Sequence, residues 1–508
     1  MKNFYFYAML FVSGIAISQE TSHEITLLKD IAPAVTDSVG TPTRAVSARP
    51  QYSYAYNGKI YFAADDGSSN DKELWVSDGT TDGTMMLKDI NPSSSSTPNL
   101  FFELNNTLYF KAKDGIGSNG YSIYTTDGTE AGTVSLNNDF NFAEPAVINN
   151  KAYIRPYTTD ENGNTPIQVF DGTNFGLIAD TGIGRINVGA INLSLDGNSI
   201  LINMQYQQLG SSVGIQLYSY NINNQSFTLV KDFAAPDATG DALNAYLNDM
   251  TKIGDVAYFT MYAEDGKNQL WVTDGTTDGT VIVDTAASIY SVQNFYAWEG
   301  KLFFEGDDGS NDQLWLYDAT TNTVKNISGV SADNPSGLSA NHDPTDFAAP
   351  GDGYLYYAGK SKISTKRSLF RTDGNTTEAI LANEINNVED IAVLNHKLYF
   401  SANYASDVNF IGRELFTYTN NELKTLNTTT FELENSLSIY PNPSTNLLNV
   451  QSTLEGEINY SIYSILGKQV LNGTIKNNVI NHNLASGLYL LKLDNGSNVI
   501  TKKIIVKN

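Results

Sequence analysis

Short apolar and aromatic runs recur along most of the chain, each bounded by Asn-Gly, Asp-Gly or similar polar turns. The first clear unit reads NGKIYF (57–62), then the polar stretch DDGSSND (65–71), then ELWVSDGT (73–80), TDGT (81–84) and MMLKDI (85–90). The same order returns at NNTLYF (105–110) with YSIYTTDGTEAGTV (121–134), and at GDVAYF (254–259) with QLWVTDGTTDGTVIV (269–283). Looser copies begin at 149, 196, 299, 352 and 395. Their anchor residues fall at 62, 110, 154, 202, 259, 304, 357 and 400, with gaps of 43 to 57. That period fits the blade of a β-propeller and exceeds a leucine-rich repeat, and no stretch shows a helical 3.6 period.

Each unit predicts four strands. A short strand A (Ser53–Tyr56) ends at Asn-Gly, a hairpin signal because both residues tolerate positive φ. Strand B is of the KIYFAA type, C of the ELWVS type, and D of the TMMLKDI type. Leu74-Trp75-Val76 and Leu270-Trp271-Val272 are apolar without alternation. Both faces of such a strand must be covered, which neighbouring blades would do. Trp75, Trp271 and Trp315 then belong to the packing between blades. The expected fold is all-β: an eight-bladed propeller, with seven blades the alternative because the fourth repeat diverges most. Ile25–Ile31 copies strand D with no A, B or C before it. It is expected to pair into the last blade and latch the ring, in competition with residues 422–426.

Charge divides the chain. The 508 residues carry 31 Lys+Arg against 55 Asp+Glu, net −24. Residues 437–508 alone carry +3, leaving −27 for the rest, and such a change of sign marks a domain boundary. The acidity argues against nucleic acid, whose phosphates demand Lys and Arg, and against anionic membranes. The absence of cysteine removes disulfides, thiolate nucleophiles and Cys-ligated zinc. The four histidines are far apart, so no HExxH site exists.

Both ends carry addresses. Residues 1–18 have a positive Lys2, an apolar run from Phe4 to Ile17, and small residues at Ala16 and Ser18. This predicts a signal peptide cut between Ser18 and Gln19. No stretch is long and apolar enough for a helical transmembrane anchor. After a linker at 428–436, residues 437–508 read as short strands separated by turns at Gly467-Lys468 and Ser486-Gly487, the pattern of a small β-sandwich. SIYPNPSTNLLNV (438–450), YSIYSILGKQV (460–470), LASGLYLLKL and the basic close TKKIIVK resemble the C-terminal sorting domain of the type IX secretion system. The resemblance points to Pro441, Asn442, Pro443, Gly467, Lys468, Gly487 and Tyr489 as motif positions and implies an Ig-like fold. It also implies a diderm bacterium, contact with the secretion machinery, and a cargo released or held at the outer cell surface. ELWVSDGTTDGT (73–84) and QLWVTDGTTDGT (269–280) resemble the ELWxxDGT repeat of secreted bacterial proteins, which implies an extracellular β-repeat protein from 19 to 427 and no defined activity.

Strand parity separates two faces. A–B and C–D turns share one; B–C loops and blade-to-blade connections share the other. The second face has the long, unlike segments where binding residues concentrate. It is acidic at Asp65, Asp66, Asp71, Asp114, Asp265, Asp307, Asp308 and Asp312, and it includes His342. Oxygen-rich loops suit calcium, although DDGSSND lacks the D-x-D-x-D-G spacing, and no cofactor is required. Asp78, Asp127, Asp274 and Asp373 are expected to bond backbone N–H groups within their own turns. These features predict a secreted or surface-displayed binding or adhesion protein with a glycan or protein ligand. The alternative is an extracellular polysaccharide hydrolase or lyase whose acid/base pairs lie among the many Tyr and Asp residues.

Overall fold

A computed structural model describes residues 23–36, 42–68, 71–118, 120–136, 140–157, 167–178, 186–191, 193–208, 211–233, 247–262, 267–309, 311–328, 341–361, 364–380, 385–404, 411–420, 437–452, 458–464, 469–475, 478–494 and 499–507. The chain forms two compact units, Ile25–Thr419 and a C-terminal unit from Asn420 onward.

Among the described residues the larger unit contains eight four-stranded sheets, numbered here in chain order by their first strands. Sheet one comprises Gln51–Tyr56, Lys59–Asp65, Lys72–Ser77 and Met85–Lys88. Sheets two to seven begin with Asn99–Leu104, Ala146–Ile148, Ile186–Ile191, Leu247–Ile253, Tyr290–Trp298 and Thr345–Ala348, and each takes its four strands in chain order. Sheet eight differs. Ile385–Leu394, Lys397–Tyr404 and Glu414–Asn420 supply its first three strands, and the outermost position is taken by His23–Lys29 from the other end of the chain. The expected latch strand is in place; its expected competitor, residues 422–426, lies outside the described residues. Among the described residues the only helix is the 3-10 turn Asp284–Ala286.

The sheets pack face to face in chain order, with one apolar cluster between each neighbouring pair. Leu74, Val76 and Leu87 of sheet one meet Leu108, Phe110 and Tyr124 of sheet two. The last cluster joins Tyr399 and Leu415 of sheet eight, with Leu28 of the latch strand, to Ile60, Phe62 and Trp75 of sheet one. Phe62, Phe110, Ile154, Ile202, Phe259, Phe304, Tyr357 and Phe400 all sit on second strands and are fully buried. Each faces the preceding sheet, while the residue before it, such as Tyr61 or Leu201, faces the following one. That is why the B strands are apolar without alternation: period two is intact, but both faces are interior. Burying one such aromatic contributes about 2–3 kcal/mol.

In six of the eight neighbouring pairs, all but sheets three–four and four–five, the first strands approach each other, which sets them around a common axis. The strands Gln51–Tyr56, Asn99–Leu104, Leu247–Ile253, Tyr290–Trp298, Thr345–Ala348 and Ile385–Leu394 share a register irregularity. It places Tyr52, Leu100, Asp249, Asn294, Asp346 and Asp390 at φ between 43° and 60°. Asn and Asp adopt this conformation more readily than other side chains.

The C-terminal unit stacks two sheets, one of Leu437–Tyr440, Leu447–Ser452 and Val479–Asn481 and one of Asn459–Ser464, Gln469–Thr474, Gly487–Asp494 and Val499–Val506. Leu448, Val450, Ile480, Ile462, Leu491, Leu493 and Ile504 form its own core.

Candidate ligand site

A cavity of about 420 Å³ opens among the first strands of four successive sheets. Ala143–Pro145 lead into sheet three, Ile191 ends the first strand of sheet four and Leu193 lies just beyond it, Asp249–Thr251 lie on sheet five and Phe295 on sheet six. The space is bordered by residues of four successive sheets and of the segments beside them. Its walls are mixed: Leu193, Met250, Thr251 and Phe295 are half-buried, while the Glu144 and Asp249 carboxylates are exposed in it.

The irregular first strands are joined to neighbouring sheets through side chains of their positive-φ residues. Asn294 N–H donates to Asp249 Oδ2 (2.9 Å), linking sheets six and five. Asn294 Nδ2 donates to the carbonyl of Pro344 (3.3 Å), just ahead of sheet seven. Asp390 N–H donates to Asp346 Oδ1 (3.0 Å), and Ser53 N–H donates to Asp390 Oδ1 (3.0 Å), which carries the series from sheet eight to sheet one. Burial raises the Asp346 carboxyl and pushes Asp390 up to about 6. Glu305 accepts from Asn294 Nδ2 (2.6 Å) and is pushed up to about 7 by burial, then by Asp312 and Asp343. Taking a carboxylate out of water disfavours its charged form, which explains the common direction.

The acidic loop residues are mostly engaged by their own loops. Asp65 Oδ1 accepts Gly67 N–H (2.7 Å) and Asp66 Oδ1 accepts Ser68 N–H (2.9 Å). Asp114 accepts Ile116 N–H (3.0 Å) and the Tyr124 hydroxyl (3.3 Å). Asp307 Oδ1 accepts Gly309 and Asn311 N–H groups (2.7 and 2.9 Å). Asp71 is half-buried, Asp308 exposed, and burial raises the Asp312 carboxyl. Asp265 lies outside the described residues. Among the described residues, no three His, Asp or Glu side chains come together in a way that could hold a metal ion.

His342 is the correction. Its place in a long connection suggests an exposed ring on the binding face; the structure seals it completely. Its N–H donates to Asp312 O and its carbonyl accepts Lys360 N–H (both 2.7 Å), so the backbone is tied between two strand ends. The ring stands edge-on to Phe370 and Tyr357, with Nδ1 2.7 Å from Lys360 O and Nε2 2.8 Å from the Tyr357 hydroxyl. Gly359 leaves the room: a Cβ there would lie 2.8 Å from His342 Cε1. Burial lowers the imidazole to about 4, so it is neutral and cannot reach a ligand.

The Asp-Gly-Thr turns act within themselves. Asp78 Oδ1 accepts both the N–H and the hydroxyl of Thr80 (2.9 and 2.7 Å), and Thr80 Oγ1 accepts Gly83 N–H (2.9 Å). Asp127 and Asp274 repeat this arrangement, and Asp373 accepts Asn375 and Thr376 N–H groups.

Two groups of residues escape sequence reasoning. One is the opening Glu of ELW. Glu73 accepts N–H groups from Ile90 and Ser96, and Glu414 accepts those of Ile31 and Ala48, so each pins the connection to the next sheet. The other is the axial set around Asp249, whose signal was present: in five sheets the positive-φ residue stands seven positions before the second strand.

In the C-terminal unit, Asn442 ties the Pro441-Asn442-Pro443 segment to the last strand. Its Oδ1 accepts Ile505 N–H (2.7 Å) and its Nδ2 donates to Lys503 O (3.1 Å). Gly487 opens a strand, and the Tyr489 hydroxyl donates to Ala485 O (3.0 Å). Gly467, Lys468, Ser18 and Gln19 lie outside the described residues.

Residues 438–507 match the secretion system C-terminal sorting domain, the Por secretion tail. The protein is therefore a cargo of the type IX machinery, which this tail engages, and is secreted or displayed at the cell surface. Among the described residues no helix is long and apolar enough to cross a membrane. No curated protein matches the chain. Solved structures similar to it include a prolyl endopeptidase, with TM-score 0.46 and 12% identity over 70% of this chain and 55% of that one. Another is PorZ, a surface component of the type IX secretion system of Porphyromonas gingivalis, with TM-score 0.32 and 12% identity over 90% and 75%. A third is the β-propeller domain of the trilobed protease from Pyrococcus furiosus, with TM-score 0.40 and 10% identity over 67% and 100%. The chain thus spans about half the length of the endopeptidase. Its own topology is all-β and propeller-like.

Proposed function

We propose that the protein is an exported, non-enzymatic binding or adhesion protein: an eight-bladed propeller of ELWxxDGT repeats that holds an extracellular glycan or protein ligand. In this reading residues 1–18 are a signal peptide, 19–427 the propeller, 428–436 a linker and 437–508 an Ig-like sorting domain. The observation that carries it is the cavity bordered by four successive sheets, in a chain that carries a sorting tail. Eight four-stranded sheets and a cluster between sheets eight and one support the blade count. The sealing of His342 weakens the hydrolase alternative by removing its candidate histidine base. A glycan array and a polysaccharide-degradation screen on the secreted protein test this. Binding without turnover is expected; turnover abolished by a single Asp substitution would replace the reading with the enzyme. Calcium at the acidic loops is a separate proposal, checked by titrating CaCl₂ into chelated protein.

A further inference from the structure

The cavity combines an apolar wall with two carboxylates. Leu193, Met250 and Phe295 leave apolar area open to solvent, and two carboxylates, Glu144 and Asp249, stand beside it. Neither carboxylate is in an ion pair among the described residues, whereas Asp343 pairs with Lys360 and Arg367 and Glu389 pairs with Arg413. Asp249 is also fixed in direction. Its Oδ2 is held by Asn294 N–H, at a residue whose φ of 43° belongs to the irregular first strand, which leaves Oδ1 free to take a further donor. Two unneutralised carboxylates at one concave site favour a positive group, and the concavity weakens the screening by water that makes surface pairs worth little. The apolar wall favours a ligand that carries its charge on an aliphatic or aromatic body. A volume of about 420 Å³ suits a molecule of peptide-fragment size and excludes a folded domain.

We propose that this cavity binds an amine or guanidinium attached to an apolar body, with Glu144 and Asp249 receiving the cation and Phe295, Met250 and Leu193 covering the apolar part. The proposal rests on the binding-protein reading and narrows it to one ligand chemistry at one place. Basic peptide segments and free aralkyl amines share that chemistry, and the experiment separates them.

The test is calorimetric titration of the full secreted protein with three compounds. These are acetyl-Phe-Arg-amide, its uncharged isostere acetyl-Phe-citrulline-amide, and phenethylamine. The arginine compound is expected to bind about tenfold or more tightly than the citrulline one, and to weaken as salt rises from low to high ionic strength. Asp249→Asn keeps an oxygen for Asn294 N–H and tolerates the positive φ, and Glu144→Gln changes an exposed side chain. Each is expected to weaken the arginine compound about fivefold or more while leaving the citrulline compound and the melting temperature unchanged. Phenethylamine binding as tightly as the arginine compound would assign the site to free amines; weaker binding would assign it to peptides. Equal affinity for the charged and uncharged peptides, unchanged affinity in both variants, or no heat from any compound at millimolar concentration would each overturn the inference. A glycan found on the array with none of these effects would leave the binding reading standing without this site.

Discussion

At the level of single residues, the recurrent motif encodes two kinds of fastening. The Asp-Gly-Thr turn is closed by Asp78, Thr80 and Thr84, the last donating to Thr80 O (2.7 Å), and it leaves no room at Gly83: a methyl there would collide with the Asp78 carboxylate. Gly83→Ala should therefore lower the melting temperature by a few degrees, the effect of overpacking by about 1–3 kcal/mol, which calorimetry would register. The opening Glu of ELW fastens the connection to the next sheet, and at Glu414 it does so from a buried position that pushes the carboxyl up from 4.5 to about 8. A carboxyl raised in this way holds a proton in the folded state that the unfolded chain has released. Its stabilising effect is fully present below 4.5 and is lost as pH rises toward about 8. Sheets four, five and six carry Gln216, Gln269 and Gln313 at the same position, where Gln269 Nε2 donates to Ala287 O (3.2 Å) and Gln313 Oε1 accepts the Ser328 hydroxyl (2.6 Å). Glu414→Gln should therefore fold, and its melting temperature should fall less across that window than that of the parent. An identical slope would show that Glu414 does not titrate there.

At the level of elements, the decisive strand is His23–Lys29. It completes sheet eight, buries Leu28 against sheet one, and delivers Ile31 and Ala32 N–H to Glu414 (2.8 and 3.4 Å). Without it the edge of Glu414–Asn420 and the apolar face between sheets eight and one would meet water. A chain beginning at residue 45 should melt several degrees lower than the full chain, and an unchanged melt would show that this strand does not stabilise sheet eight. The irregular first strands are the second element-scale feature. Their positive-φ residues turn Asp and Asn side chains toward the neighbouring strand, which both links successive sheets and leaves Asp249 beside the cavity.

At the level of the whole molecule, two units divide the work. The sheets of Ile25–Thr419 form one unit with its own interior, and the tail holds a separate core around Leu448, Ile462 and Leu491. Removing residues 437–508 should leave the thermal transition of the larger unit within about 1 °C, because among the described residues its apolar clusters are built from its own sheets. The same deletion should abolish export, with the protein retained in the cell fraction by immunoblot of medium and cells. Continued secretion of the shortened chain would show that another signal carries it.

The sequence alone determined the strand content, the repeat period, the buried anchors, the fastening turns and the sorting tail. Each of these is local: it depends on alternation within a strand, on turn residues that accept positive φ, or on a motif contiguous in the chain. Phe62 and its seven counterparts were legible because a fully buried second strand must be apolar throughout. The outcome at His342 was not legible, because whether a loop residue is exposed depends on Phe370 and Tyr357, which enclose its ring, and on Gly359, which admits it. Nor could the chain show that Glu144, Leu193, Asp249 and Phe295 border one cavity. They belong to four sheets and the segments beside them, and only the packing of those sheets brings them to one cavity.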